Sequence, residues 1–158
     1  MGHQGGGRAR CGPDQSGLTA APAFGAGPLK MKAAELAVRF ALEPGWRVPL
    51  GEFLDAFYRR WPDRPAMAAL IAEPPAAALP PFPEALLAAT VEQLAAQWGM
   101  PCPGWAARAG YGLAQPHSLA PAWFPPSRLQ RGPQPFQGRL LLTDPDPLRR
   151  ARRPPLPS

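Results

Sequence analysis

The sequence predicts an all-α protein, a small bundle of about four helices followed by an irregular, proline-rich C-terminal arm. Apolar residues recur at helical spacing in several segments between residues 31 and 98, which is typical of helices with one buried face. Pro–Gly and Pro–Pro pairs separate these segments, and such pairs end helices. Beyond residue 98 the chain holds 13 of its 25 prolines, so regular structure is expected to give way to an arm there.

Residues 1–30 contain glycine and proline without any apolar period. We expect them to be a disordered leader or the product of a mis-assigned start. Met31 opens the stretch MKAAELAVRFALE, which has the pattern of a protein's own beginning. The helical bundle is therefore expected to span residues 31–98.

Two helices are predicted in the first half of the bundle. The first runs from Lys32 to Glu43 and ends at Pro44–Gly45, a pair that does not continue a helix. The second runs from Pro49 to Trp61, and its proline suits a first turn because the missing N–H costs nothing there. Its apolar residues form one continuous stripe, made of Leu50, Phe53, Leu54, Phe57, Tyr58 and Trp61.

Two further helices complete the predicted bundle. The third is short, begins after Asp63 as its N-cap and ends at Pro74–Pro75. The fourth runs from Glu84 to Trp98, and Gly99 is expected to terminate it. The residues expected to be buried are Met67, Leu70 and Ile71 in the third helix and Leu87, Val91, Leu94 and Trp98 in the fourth; those expected to face solvent are Glu92, Gln93 and Gln97.

The arm is expected to span residues 99–153 and to pack on the bundle, with residues 154–158 as a tail. From residue 99 onward, arginines greatly outnumber the acidic residues, so this part carries the basic excess of a chain whose net charge is +6. One short strand is predicted near residues 139–143, where an apolar run follows an arginine. Asp144 is expected to cap a last helical turn through Leu148 and Arg150.

The composition argues against several classes of protein. The two cysteines, Cys11 and Cys102, lie far apart, whereas a secreted disulfide scaffold would carry more, and no close ligand pair suits zinc. No apolar run reaches the ~18 residues of a membrane span, and the N-terminal stretch lacks the order of a signal peptide. A cytoplasmic protein without a metal or cofactor is expected. Cys102 follows a helix C-terminus, whose dipole disfavours a thiolate, so it is expected to be a semi-buried structural residue.

The arginines near the C-terminus raise the alternative of a nucleic-acid-binding regulator. The run RRARR contains Arg149, Arg150, Arg152 and Arg153, and clustered arginines bind phosphates without sequence preference. The competing interpretation is a solubilising tail in a GC-rich gene, since arginine far outnumbers lysine and asparagine is absent. A helix-turn-helix is not favoured because the third helix would present alanines and Glu73 instead of basic residues.

A small enzyme of unknown class is the second alternative. Glu52, Asp55, His117 and Arg139 could form a site only if the fold brings them together. The sequence contains no nucleophile elbow and no phosphate-binding loop. No catalytic residue is therefore assigned.

Aromatic residues recur from the end of the fourth helix through the arm, at Trp98, Trp105, Trp123 and Phe124. The stretch PAWFPP suits neither a helix nor a central strand. We expect these rings to pack on the bundle, because aromatic side chains bury much apolar area. The alternative is an exposed docking face, in which tryptophan is a frequent anchor.

Four motifs between about residues 31 and 151 resemble a family of small uncharacterised bacterial proteins. They are GEFLDAFYRR, LAAQWGMPCPGWA, PAWF and FQGRLLLTDPDPLRRA, similar to the family's FLD-FY helix, G-P-P-W turn, WF loop and closing F-x-x-R…L-x-R-A element. The resemblance implies a non-catalytic interaction protein, antitoxin-like or an accessory subunit of a bacterial two-gene module, with a nucleotidyltransferase-like protein as its partner. We expect the partner to contact Trp105, Trp123, Phe124 and Arg139.

Overall fold

A computed structural model of the chain describes residues 30–125, 127, 129 and 132–157. The described part is mostly helical, which confirms the predicted class; the leader predicted for residues 1–30 lies outside it except for Lys30. No helix of the described part combines the length and the apolarity that a membrane crossing requires. In chain order the elements are α1 (Ala33–Leu42), α2 (Arg47–Tyr58), α3 (Arg64–Ile71), α4 (Pro81–Gln97), α5 (Gly104–Arg108), β1 (His117–Ser118), α6 (Gln134–Gln137) and β2 (Leu141–Leu142).

The first three predicted helices are present, with small shifts at their ends. α2 begins two residues before the predicted Pro49 and ends at Tyr58, three residues before Trp61. Its apolar stripe is buried as predicted, except that Trp61 remains 37% exposed. At the start of α3 the Asp63 carboxylate accepts a hydrogen bond from the Ala66 N–H at 3.1 Å, which is the predicted N-cap.

α4 is longer and more enclosed than its sequence pattern predicts. It begins at Pro81, three residues early, because the prolines at 81 and 83 fit a first turn. Every residue of the stretch 85–91 is buried, since α1 packs on one side of α4 while α5 and α6 pack on others. Glu92, Gln93 and Gln97 were expected to face solvent, but they are half-buried.

Gly99 ends α4 as predicted. Its φ of +66° is in the left-handed region, where glycine meets no steric penalty. The Met100 N–H turns back to donate to the Ala95 carbonyl at 2.8 Å, which is the bond of a Schellman motif. The chain then reverses, and Trp98 remains completely buried behind the turn.

The arm contains more regular structure than expected. Its first residues form α5, and α6 follows later. The predicted strand near 139–143 is reduced to β2, because Arg139 and Leu140 lie in a turn and Leu140 has φ of 62°. β2 pairs in parallel with β1, with His117 opposite Leu141.

The predicted last helical turn after Asp144 is not formed. The Asp144 carboxylate instead accepts the Asp146 N–H at 2.7 Å, an Asx turn that redirects the chain. The turn places Leu148 in the core, where its carbonyl accepts a 2.7 Å hydrogen bond from the buried Tyr58 hydroxyl. This contact ties the C-terminal segment to α2.

Replacement of Tyr58 by phenylalanine is expected to lower the free energy of unfolding by about 1–2 kcal/mol, because the buried Leu148 carbonyl loses its donor. The matched control is Tyr111→Phe, which keeps the ring of a residue that is 55% exposed and should change stability by less than about 0.5 kcal/mol. Equilibrium urea denaturation measures both. Equal effects of the two substitutions would contradict the structural role of the Tyr58 hydroxyl.

Candidate functional site

The aromatic turn, residues 121–124, presents the most exposed large aromatic side chain of the described part. Trp123 is 79% exposed, whereas Phe124 is half-buried. The two rings lie edge to face with centroids 6.0 Å apart, and the Phe124 N–H closes the turn on the Pro121 carbonyl at 2.9 Å. Phe124 thus anchors the turn and leaves the indole of Trp123 in solvent.

A second apolar surface, the α1–α2 corner, is formed by residues 42–48. Leu42 is 78% exposed and Val48 is 65% exposed. Leu42 lies on the side of α1 away from the buried Leu36 and Phe40. Between the two exposed residues, Trp46 is half-buried and meets the Phe82 ring edge-on at 6.3 Å. Our sequence reasoning missed this corner; its only trace was two apolar residues outside the predicted stripes.

Arg47 joins the corner to the aromatic turn. Its guanidinium lies 4.4 Å from the centroid of the Trp46 ring and donates to the Leu119 carbonyl at 2.8 Å. Leu119 precedes the aromatic turn by two residues, so this arginine connects the corner to the backbone that leads into the turn. We use the name apolar face for the side chains of the two surfaces taken together, Leu42, Trp46, Val48, Trp123 and Phe124.

Trp105, which was also predicted to contact a partner, packs partly against the core of its own chain. Its indole N–H donates to the Ala72 carbonyl at 3.1 Å, and its ring is half-buried against the core. Trp98 is fully buried and contacts Trp61 and Tyr58. Of the four aromatic residues singled out in the sequence, only Trp123 is predominantly exposed, so the expectation that these rings pack on the bundle is wrong for Trp123.

Arg139 is buried, which corrects its expected place on an exposed partner surface. It is 1% exposed, and its Nη1 donates to a Glu92 carboxylate oxygen at 2.7 Å. The guanidinium also donates to three backbone carbonyls at 2.6–2.9 Å, and the Tyr111 ring covers it at 4.5 Å. Its donors hold α4, α5 and α6 together, and no partner can reach it.

Two of the four C-terminal arginines are engaged within the protein. Arg150 donates two hydrogen bonds to Asp55, at 3.0 and 2.7 Å, and Arg153 donates two to Asp146, at 2.6 and 2.8 Å. The Arg150 guanidinium lies so close to Gly51 that an added Cβ would meet it at 2.9 Å. Half of the expected phosphate-binding run is thus neutralised by carboxylates, while Arg149 and Arg152 are exposed.

The two ion pairs make stability depend on pH. Hydrogen bonds from Arg150 and Arg153 hold the pKa values of Asp55 and Asp146 below their usual range. A carboxyl whose pKa is lower in the folded state stabilises the fold above its unfolded pKa, and this contribution disappears as the pH falls through the folded pKa. We therefore expect the free energy of unfolding to decrease below about pH 4.

The variant Asp55→Asn tests whether the Asp55 carboxyl contributes to this pH dependence, because asparagine keeps the shape of the side chain and removes the titrating group. Its cost at neutral pH should stay below about 1 kcal/mol, since the pair is partly exposed, and its acid-induced loss should be smaller than that of the wild type. Urea denaturation as a function of pH measures both quantities. A wild-type acid dependence in Asp55→Asn would assign the effect to other carboxylates.

The four residues of the possible enzymatic site are each engaged elsewhere. Glu52 pairs with Arg39, Asp55 with Arg150, and Arg139 with Glu92. The ring of His117 stacks on that of Phe82, with centroids 4.0 Å apart. In the described residues we find separate local contacts for the four groups and no common site.

Cys102 is exposed, which corrects its expected semi-buried position. The pKa of its thiol is raised, chiefly by desolvation and secondly by the charge of Glu92. This environment disfavours the reactive thiolate. Within the described ranges, no group of three or more His, Cys, Asp or Glu side chains is placed to hold a metal ion.

The chain was compared with protein-family models, with curated proteins and with solved structures. None of the three comparisons found a match. The resemblance of the four motifs to a family of small bacterial proteins stays a prediction.

Proposed function

We propose that the protein is a non-catalytic interaction component, an antitoxin-like or accessory subunit of a bacterial two-gene module, which binds a partner protein through the apolar face. The observation that carries this proposal is the exposure of Trp123, 79%, beside a corner at which Leu42 and Val48 are also exposed. In this proposal α1–α4 act as a helical bundle that supports the face. The nucleotidyltransferase-like partner implied by the sequence motifs is the proposed target.

The physical argument rests on what such side chains do at interfaces. Tryptophan is enriched among the residues that contribute most to binding energy, and an interface of standard size needs ~800 Å² on each partner. The aromatic turn alone is too small for that area, so the adjoining corner supports the proposal by extending it. Arg47 donates to the Leu119 carbonyl, two residues before the turn, and a contact that orders a surface before binding reduces the entropy cost of association.

The proposed mechanism is occlusion. The partner is proposed to have an apolar groove into which Trp123 inserts. The aromatic turn would then block this groove, and the α1–α2 corner would cover its rim. This action needs no catalytic group on the present chain. It is consistent with the separate local contacts of Glu52, Asp55, His117 and Arg139 described above.

The test uses the full-length protein and a double variant, Val48→Ser with Trp123→Ser. The partner is captured from extracts of the native host, purified, and titrated against each protein by calorimetry. We expect the double variant to bind at least about 30-fold more weakly, the effect of losing ~2 kcal/mol at one hot spot. The control variant Leu156→Ser removes another exposed apolar side chain, 44% exposed, and should bind as the wild type does.

Two results would overturn the proposal. One is the absence of any stoichiometric partner. The other is unchanged affinity of the double variant for the partner that is captured. Formation of a homodimer that the double variant abolishes would replace the partner by a second copy of this chain.

Nucleic-acid binding is the second candidate, favoured only by the exposure of Arg149 and Arg152. Two phosphate contacts would give a slope of about −1.8 in a plot of log affinity against log salt concentration. Titration of a duplex and a single-stranded oligonucleotide at low salt tests this candidate. It fails if the variant with alanine at both positions binds like the wild type.

A further inference from the structure

A cavity of about 250 Å³ lies between the linker that joins α3 to α4, the first turns of α4 and helix α5. It is separate from the apolar face and independent of the proposed function. The residues that line it are of apolar type apart from Glu84, and they include Pro75, Ala77, Leu79, Leu87, Trp105 and Ala109.

The cavity is formed by a constrained segment. The linker, residues 72–80, is tied to α5 at its start by the hydrogen bond between the Trp105 indole and the Ala72 carbonyl. Near its end Leu79 packs against the core, and the prolines of this linker restrict its backbone further. Three consecutive alanines, at 76–78, leave the space between these two anchors unfilled. The linker is therefore anchored on both sides of the cavity, while the alanines between the anchors are exposed.

Glu84 is the one charged residue among those that line the cavity. It is half-buried in the first turn of α4, and no side chain of the described part pairs with its carboxylate. The other glutamates of the described part do have partners: Glu35 accepts a backbone N–H, while Glu43, Glu52, Glu73 and Glu92 bind arginine or lysine.

The position of Glu84 at a helix start would by itself explain an acidic residue, because the dipole there is positive. Two features of α4 weaken that explanation. Pro81 and Pro83 remove two of the N–H groups that give a helix start its positive character. In addition, Glu84 and Trp105 line the same cavity, and an aromatic face attracts cations.

We propose that this cavity binds a small organic cation, an ammonium or guanidinium group carried on an apolar body. The cationic group pairs with Glu84, and the apolar body packs against Trp105 and Leu87. A neutral ligand of the same shape would cover the carboxylate without replacing its water, and an anion would be repelled. The volume lies below the ~300–1,000 Å³ of pockets for drug-sized ligands, so the ligand is a free small molecule.

The experiment titrates full-length protein with three probes of similar size and different charge: 2-phenylethylammonium, 2-phenylethanol and 3-phenylpropanoate. Binding is followed by calorimetry and by the NMR resonance of the Trp105 indole N–H. We expect saturable binding of the ammonium ion at one site, binding of the alcohol weaker by at least about tenfold, and no binding of the carboxylate.

Three variants locate the site. Glu84→Gln keeps the shape and should weaken ammonium binding by at least about tenfold. Ala77→Leu fills the cavity and should abolish binding. This variant still tests whether the cavity is the binding site if Glu84→Gln fails to fold. Glu43→Gln removes the same charge from the α1–α2 corner, outside the cavity, and should bind as the wild type does.

The proposal is overturned if 2-phenylethylammonium does not saturate at millimolar concentration, if the alcohol binds equally well, or if Glu84→Gln and Ala77→Leu bind normally. Tighter binding of Nα-acetyl-lysine methylamide than of 2-phenylethylammonium would also overturn it, in favour of a partner's side chain as the occupant. None of these outcomes depends on the Trp123 and Val48 variants, so the two proposals fail separately.

Discussion

Replacement of Arg139 by alanine is expected to destabilise the protein by about 3–5 kcal/mol, mainly because three backbone carbonyls lose their buried donor. The Arg139 side chain is completely buried, whereas that of its partner Glu92 is 32% exposed. Removal of the guanidinium leaves Glu92 without its counter-ion. It also leaves the carbonyls of Ala106, Ala109 and Pro135 without the donors they have at 2.6–2.9 Å. Each unpaired buried carbonyl costs ~1–3 kcal/mol where water cannot enter, so the three carbonyls together account for most of the expected loss.

Because a typical domain is stable by only ~5–15 kcal/mol, we expect Arg139→Ala to remove a large part of the measurable stability. Arg139→Lys keeps the charge and loses the planar fork, and we expect a loss of about 1–3 kcal/mol. Arg149→Ala is the control, since Arg149 is exposed, and should cost less than about 0.5 kcal/mol. Urea denaturation measures all three variants. A loss below about 1 kcal/mol in Arg139→Ala would show that Arg139 is not a structural centre.

Much of the helical part could be predicted from local pattern. The stripe of α2 is buried because one face of a helix collects residues at i, i+3, i+4 and i+7. The Asp63 cap and the Gly99 terminus depend on a few neighbouring atoms, so a short stretch of sequence determines them. These features need no knowledge of what packs against them.

The enclosure of α4 could not be predicted in this way. Alanines at 85, 88 and 89 carry little periodic information, yet they are all buried because α5 and α6 approach closely there. The same limit applies to Arg139. Its carbonyl partners Ala106 and Ala109 are 33 and 30 residues away in sequence, and one arginine among many gives no indication of which is buried.

The candidate sites also divide into features that local sequence indicates and features that depend on distant segments. Trp123 was identifiable because a tryptophan between prolines has no helix or strand to join. The α1–α2 corner was missed because Leu42 and Val48 are exposed only if no other part of the chain packs over them, and local sequence does not indicate this. The cavity beside Glu84 is assembled from three segments, so no single motif could indicate it.

The second large effect is expected at Gly110, where substitution by alanine should cost about 2–4 kcal/mol through backbone strain and overpacking together. Gly110 is buried with φ of +87°. An added Cβ would lie 2.9 Å from the Ala85 Cα and 2.9 Å from the Arg139 Nε. The first of these is helix backbone and the second is held by the Arg139 network, so neither neighbour can move cheaply.

Gly99→Ala separates the two contributions, because it has the strain without the overlap. Gly99 also has a positive φ, +66°, but its added Cβ would meet only the flexible end of Arg64, at 3.3 Å. We expect a loss of about 1–2 kcal/mol there, the cost of a left-handed alanine. Thermal and urea unfolding of the two variants give the difference directly. If Gly110→Ala lowers the free energy of unfolding no more than Gly99→Ala does, the arm does not approach α4 as closely at Gly110 as described. If Gly110→Ala lowers it more, the excess measures how rigidly Arg139 holds α5 and α6 against α4.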